Sequence, residues 1–508
     1  MSLAIVLTRA QFGLDAPLVR VEVFCGGGLP QFAIVGLAEA AVRESRDRVR
    51  AAIQHGGHTF PAGRIVVNLS PAELPKEGGR FDLAIALGIL AATPDEPWSL
   101  PAATEFYGEL SLSGELRLVR GMLATAVHAA RDGHRLVVPE PNATEARLAE
   151  GAIVAPVDSL ASVWTALREG DPLSFAAGGV SGAGVTVSVG PDLAEVRGQA
   201  AAKRALEIAA AGGHSLLMIG PPGSGKSMLA QRFAGLLPPL ADSEALEVAM
   251  LHSLGRDPLP LSRWGCRPFR APHHGASAAA IIGGGGRLAP GEISLAHRGV
   301  LFLDELPEFR RDVLEGLREP LETGVVHLAR AAWRGHFPAR FQLIAAMNPC
   351  PCGHAGDPGG RCRCTPPLVS RYLGKLSGPL LDRIDLQVAV PRLDYRTLRE
   401  LPVATEHSSA VAARVAVARA RQEQRGGLNA GLDPARLEAG CGIGAREHAL
   451  LDAAAQRHGL SARACHRILR VARTIADLDG AGCVAAAHLA EAIGYRRLER
   501  LVAEAPAA

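Results

Sequence analysis

Gly220-Pro221-Pro222-Gly223-Ser224-Gly225-Lys226-Ser227 follows the apolar run Ser215-Leu-Leu-Met-Ile219 and opens an amphipathic, helix-like segment. A strand, a glycine turn and a helix in that order make a phosphate cradle. Backbone N–H groups of the turn point inward, and the helix dipole favours the same negative charge. In this frame Lys226 brings a point charge to the β/γ-phosphates of a nucleotide, and the Ser227 hydroxyl is a Mg²⁺ ligand. A plain glycine turn at a strand end is the alternative, and eight fitting positions in the right context argue against it.

Seventy-eight residues beyond Lys226 (304 − 226) comes Val300-Leu-Phe-Leu-Asp-Glu305, an apolar strand ending in two carboxylates. Ligands of α/β sheets bind at the carboxyl ends of the strands. Asp304 there suits Mg²⁺, and Glu305 suits the attacking water. Taken alone, Asp-Glu after a strand is more often a helix start. Phe341-Gln-Leu-Ile-Ala-Ala-Met-Asn348 repeats the form with one terminal amide, placed to orient that water or simply to cap a turn. Leu380-Leu-Asp-Arg-Ile-Asp385 sets Arg383 between two carboxylates, either as a surface ion pair or as an arginine finger for a neighbouring subunit.

Strand–helix alternation from Asp192 predicts an α/β fold with a parallel sheet. Before about residue 170, short β-rich runs (Leu18–Phe24, Arg64–Asn68) alternate with helical text such as Glu39 to Gln54. Ala176 to Gly190 reads as a linker or hairpin, and after Pro391 the pattern is helical. At 508 residues, three domains follow from about 150 residues each. The boundaries fall at 1–172, 173–191 (linker), 192–392 and 393–508.

Apolar content of 48% with 21% charged residues suits packed domains. Net charge is only +3, so any contact with nucleic acid must come from local basic patches. The N-terminus lacks a basic n-region before its short apolar run, and no apolar stretch reaches the ~20 residues that cross a bilayer. A cytoplasmic protein without a membrane partner is the expectation. Four of nine cysteines lie between Cys350 and Cys364. In a reducing compartment such clustering favours metal over disulfides.

P-loop, Asp-Glu strand, Asn-ended strand and Asp-Arg-Ile-Asp, in this order, resemble the magnesium-chelatase branch of AAA+ ATPases. The runs Arg267-Pro-Phe-Arg-Ala-Pro-His-His274, Pro290-Gly-Glu-Ile-Ser-Leu-Ala-His297 and Asn348-Pro-Cys-Pro-Cys-Gly353 are similar to those of the ComM (YifB) family, linked to natural transformation. The similarity spans essentially the whole chain. It implies a homo-hexameric ring in which Asn348 is sensor 1, Arg383 the arginine finger and Arg463 the sensor 2 arginine. Arg467, one helical turn on, is the runner-up. The implied activity is ATP hydrolysis coupled to helicase or branch-migration work on DNA, with no small-molecule substrate beyond ATP. A protein-remodelling ATPase and a magnesium-chelatase motor are the rivals.

The N-terminal domain resembles the Lon-protease catalytic fold. Arg80, in Pro75-Lys-Glu-Gly-Gly-Arg-Phe-Asp82, stands where that family carries its serine, and Arg120-Gly-Met-Leu-Ala-Thr125 lacks the lysine base. A Ser–Lys mechanism needs a hydroxyl and a low-pKa amine in reach. A rearranged Ser70/Lys76 pair has no support, so the domain is expected to be inactive.

Cys350-Pro-Cys352 and Cys362-Arg-Cys364 flank nine Gly-rich residues that include Asp357, and four thiolates suffice for one tetrahedral structural Zn²⁺, with His354 as a substitute ligand and reduced thiols as the alternative. Being so near Asn348, the knuckle is expected to stiffen the pore-facing or inter-subunit side of the ring. Val325-Val-His-Leu-Ala-Arg-Ala-Ala-Trp-Arg-Gly-His336 reads as a hairpin whose Arg330, Trp333 and Arg334 suit phosphates and base stacking, or a merely exposed charged hairpin. Phe269 to Gly275 leads into a flexible insert, Ile281 to Arg287, a second candidate for gripping substrate with basic residues facing a pore; the adjacent His273 and His274 read as loop contacts rather than metal ligands. Arg414 to Arg425 reads as an arginine-rich helix, on spacing alone with a solvated face and secondarily as a DNA contact. Ala464 to Leu478 is, by the same resemblance, the lid over the nucleotide.

Overall fold

The computed structural model describes residues 2–36, 42, 44–93, 100–169, 173–179, 190–255, 260–285, 289–330, 333–356, 359–393 and 406–496. Contacts divide the chain into two compact units: Met1–Thr186 with Ala245–Trp264, and Val187–Glu244 with Gly265–Ala508.

The first unit is built on an eight-stranded mixed sheet. Ser2–Arg9 and Leu18–Gly26 pair antiparallel along their whole length, and Arg64–Ser70 continues the ladder beside them. Alternation puts Val19, Val21 and Val23 on the buried face of the second strand. Helix Asp82–Ala91 covers that face and is apolar on every side after Asp82, as burial of Asp82 to Leu90 requires. The helix expected from Glu39 is described from Ser45 to His55; residues 39–41 and 43 lie outside the described residues. Of the expected linker, Ala176–Ala177 form an edge strand, and residues 180–189 lie outside the described residues.

Arg80 is buried and donates to the Arg120 carbonyl at 2.9 Å and to Gln11 Oε1 at 3.3 Å. Burial pushes its pKa down to about 10. Lys76 is buried too, and its ammonium donates to the Pro71 carbonyl. Residues 245–264, which read as part of the P-loop segment, belong to this unit; the Gly121 amide donates to the Ser253 carbonyl at 3.0 Å.

In the second unit five parallel strands run in the order Phe269–Arg270, Val300–Leu303, Gln342–Met347, Leu216–Ile219, Leu386–Ala389. Both faces are covered, so the strands are continuous apolar runs. On one face Leu216, Met218, Val300, Phe302, Ile344 and Leu386 pack with helix Ala200–Gly212. On the other, Leu217, Ile219, Leu301, Leu303, Leu343 and Met347 pack with Leu306, Phe309 and Val313. The expected helical C-terminal segment shares the first of these cores through Val411, Val415, Ile468 and Ile475.

Within helix Ser408–Gln424 Arg419 departs from the solvated-face expectation, whereas Arg414 stays exposed. Arg419 is buried and donates to the Ala210 carbonyl at 2.8 Å. Arg414 pairs with Glu207 at 2.5 Å and also with Glu406. Arg421 donates to the Asp477 carbonyl at 2.5 Å, and Arg425, just past the helix, pairs with the Asp477 carboxylate. Apart from Glu406 and Asn429, these partners lie 52 to 209 residues away in sequence, beyond the reach of local spacing.

Asp477 carries much of this packing. It is 1% exposed, pairs with the equally buried Arg473 at 3.0 Å and accepts from Asn429 at 2.8 Å. Asp477→Asn should cost about 3 kcal/mol, because Arg473 would keep a buried, uncompensated charge. Urea unfolding followed by tryptophan fluorescence measures it; an unchanged midpoint would contradict this account.

Candidate nucleotide site and cysteine centre

The parallel register brings Ile219 level with Met347, and Leu303 ends the next strand over. Gly220, Asn348 and Asp304 therefore emerge side by side at the carboxyl edge. Gly220 is tightly constrained: a Cβ there would lie 2.1 Å from the Val390 carbonyl oxygen. Helix Lys226–Phe233 starts at the turn and aims its amino end at the cleft.

Lys226 is 8% exposed, and its ammonium donates to the Gly220 carbonyl at 2.7 Å, the Pro221 carbonyl at 3.0 Å and Asn348 Oδ1 at 3.3 Å. Burial lowers its pKa, against the pull of Asp304 and Glu305. Ser227 Oγ donates to Asp304 Oδ2 at 2.5 Å, so two oxygens that suit a hard cation lie side by side. Pro222, Gly223, Ser224, Gly225, Lys226, Ser227, Asp304, Glu305 and Asn348 line a cleft of about 340 Å³. Among the described residues, the buried Ser224 Oγ has no hydrogen-bond partner. A buried hydroxyl of this kind, an ammonium and the backbone cradle together suit a polyphosphate with Mg²⁺.

Two contacts escaped the sequence reading. Gln199, in the left-handed region at φ 56°, donates to the Ser224 carbonyl at 3.2 Å and to the Pro391 carbonyl at 2.7 Å, bracing the loop. Glu305 is also left-handed at φ 54°, and its carboxylate lies 3.3 Å from His274 Nδ1. The strand–turn–strand order that marked Asp304 and Asn348 carried no signal for either. The reading of His273 and His274 as loop contacts fits this geometry.

Arg383 and Arg463 do not line this cleft. Arg383, 9% exposed, and Arg463 both pair with Glu322, at 2.7 and 2.6 Å. Arg467, the runner-up, pairs instead with Asp385 at 2.6 Å. Burial opposes ionisation of Asp385, yet the His214 hydrogen bond and the charges of His214 and Arg467 hold its carboxyl well below the usual range.

The hairpin spans Val325–Arg330 and Trp333–Pro338, in antiparallel register with Arg330 opposite Trp333. Val326 and Phe337 bury its base. Residues 331 and 332, and Arg287 of the neighbouring insert, lie outside the described residues.

Cys350, Cys352, Cys362 and Cys364 converge, with all four sulfurs within 4.8 Å of one another; His354 is not in the set. Separations of 3.4, 3.8 and 3.7 Å among the first three approach the ~3.8 Å edge of a tetrahedron with Zn–S near 2.3 Å. The Ala355 amide donates to Cys350 Sγ at 3.2 Å, and backbone donation from Arg363 brings the Cys352 thiol down to about 6. The knuckle packs on the P-loop: at Gly353, with φ +80°, a Cβ would lie 2.5 Å from the Pro222 ring.

Fold and cleft together define a magnesium-chelatase-like AAA+ ATPase, a class whose cofactors are ATP and Mg²⁺. Residues 192–398 match the family model "Magnesium chelatase, subunit ChlI", residues 21–142 "Subunit ChlI of Mg-chelatase" and residues 405–496 "Magnesium chelatase, subunit ChlI C-terminal". The competence protein ComM of Haemophilus influenzae is 48% identical over 505 residues, 99% of each chain. YifB of Salmonella typhimurium is 48% identical and YifB of Escherichia coli 46%, each match covering 99% of this chain and 98% of the relative. The chain belongs to the ComM (YifB) family.

Cys352→Ser should lose about one Zn²⁺ per chain and lower the thermal midpoint, since a four-thiolate site stores folding energy. Elemental analysis of protein purified without added metal reads the loss. Wild-type protein near zero zinc would remove the metal role from the knuckle.

Proposed function

We propose that this chain is an ATP-hydrolysing homo-hexameric ring motor that works on DNA in the cytoplasm, by helicase or branch-migration action during recombination of incoming DNA. The observation that carries the ring is the separation of Arg383 and Arg463 from the cleft lined by Lys226, Asp304 and Glu305. Arginines held away from their own P-loop suit a neighbour's nucleotide.

Within the cleft, Lys226 neutralises the β/γ-phosphates, while Ser227 and Asp304 would hold Mg²⁺, which supplies charge compensation when bound. Glu305 polarises the water for in-line attack, Asn348 as sensor 1 orients it, and Arg383 enters from the next subunit with Arg463 as sensor 2. His274 holds Glu305 until the loop carrying it moves. The N-terminal domain, expected over residues 1–172, serves as a protease-like docking or assembly module without a Ser–Lys pair. Support comes from Arg80 being spent on Arg120 and Gln11, and Lys76 on Pro71.

For DNA, the support is a hairpin anchored by Val326 and Phe337 whose far end carries Arg330, Trp333 and Arg334, and a relative named for competence. No helix among the described residues is long and apolar enough to cross a membrane. The chelatase names of the family models keep a chelatase-type motor as the second reading.

Branched DNA should stimulate the ATPase, and Arg330→Ala/Arg334→Ala should abolish that stimulation while basal hydrolysis survives. Each lost phosphate contact should flatten the salt dependence of DNA binding by a slope of about one. ATPase rates with and without branched DNA across a salt series measure both. A wild-type rate indifferent to DNA at every salt concentration would discard the DNA motor in favour of a remodelling or chelatase role.

A further inference from the structure

Glu322 accepts from two guanidiniums at once. Its Oε2 lies 2.7 Å from Arg383 and its Oε1 2.6 Å from Arg463. The three side chains open on a cavity of about 450 Å³ whose wall also includes Asp385, Arg467 and Arg470. Four arginines against two carboxylates leave 4 − 2 = +2 charges unbalanced.

The two carboxylates are not equivalent. Asp385 is 6% exposed and is committed to Arg467 and to His214, at 2.6 and 3.2 Å. Arg470 is likewise committed, donating to the Leu432 carbonyl at 2.5 Å. Glu322 is 35% exposed and Arg463 57%, so their pairing is screened and stabilises little. Burial opposes its ionisation, but Arg383 and Arg463 keep the Glu322 carboxyl below its usual range and therefore charged at neutral pH. Glu322 also ends the short helix Arg318–Thr323, where the helix dipole disfavours an anion. What holds it there is the pair of arginines.

We propose that this cavity receives the terminal phosphates of the nucleotide bound by a second copy of this chain, and that Glu322 is the internal anion those phosphates displace. The proposal rests on the reading of Arg383 and Arg463 as arginines for a neighbour's site. A doubly charged phosphate with three acceptor oxygens satisfies two planar guanidiniums better than one carboxylate can. Until it arrives, Glu322 holds both arginines in a closed arrangement, and the fraction of open protein limits apparent affinity between subunits. Glu322 lies three residues before the hairpin that begins at Val325, so its release also reaches the start of that hairpin.

The test is ring assembly of full-length protein by mass photometry, titrating a poorly hydrolysed ATP analogue. Glu322→Gln should assemble at a roughly three- to tenfold lower analogue concentration than wild type, because the competing anion is gone. Glu322→Ala should move the same way, and Glu322→Asp, which keeps the anion, should return toward wild type. The KM for ATP should fall with the assembly midpoint while kcat changes little, a split that a merely structural role would not give. An unchanged or higher analogue requirement in both Glu322→Gln and Glu322→Ala overturns the proposal. Arg383→Ala separates the two claims. If it assembles and hydrolyses as wild type does, the neighbour-serving reading itself fails. If it is impaired while Glu322→Gln matches wild type, only the displaceable anion is refuted.

Discussion

Ile219, Leu303 and Met347 end three adjacent parallel strands at one edge of a sheet buried on both faces. That shared edge is the constraint on which the site depends. A parallel sheet covered on both sides offers polar groups a place only where the strands stop, and there the next residues are Gly220, Asp304 and Asn348. A one-residue slip of any strand would turn its apolar set to the other face and withdraw its polar residue from the cleft. Lys226 then bridges the assembly, touching the Gly220 and Pro221 carbonyls and the Asn348 amide.

Around this edge the structure braces parts that must move little during phosphate chemistry. Gln199 ties the P-loop to Pro391, and the Gly353 backbone of the cysteine knuckle lies against Pro222. A metal in the knuckle would thus stiffen the cleft's own wall, closer to the chemistry than its position after Asn348 suggested. The C-terminal helices are bound by charge as well as by apolar packing. Arg414, Arg419, Arg421 and Arg425 all find acceptors within the same unit, and Arg473 and Asp477 are buried together. Such a segment presents Arg463, Arg467 and Arg470 from one rigid helix, Ala462–Leu478.

Legibility in the sequence followed the range of the interaction. The P-loop is a strand, a turn and a helix in one local run, so its residues and its position at a strand end could be read directly. Asp304 and Asn348 announced themselves as single polar interruptions at the ends of apolar strands. The cysteine cluster was legible because two short pairs close through a loop of nine residues. Contacts between distant segments left no such mark. Nothing near Glu305 points to His274, nothing near Arg383 points to Glu322, and Gln199 sits in an unremarkable helix start. The burial of Arg419 left no local mark for the same reason, since its acceptor is the distant Ala210 carbonyl.

The central claim is that each hydrolytic site needs Lys226 from one chain and Arg383 from the next. Mixing Lys226→Ala with Arg383→Ala subunits at varied ratios tests it most directly, with ATP hydrolysis as the readout. Each variant alone should be nearly inactive. Mixed rings should recover activity that peaks at intermediate ratios, because an intact P-loop then meets an intact arginine across some interfaces. Mixtures no more active than the weighted sum of the two variants, or an Arg383→Ala protein that hydrolyses at the wild-type rate, would contradict the account.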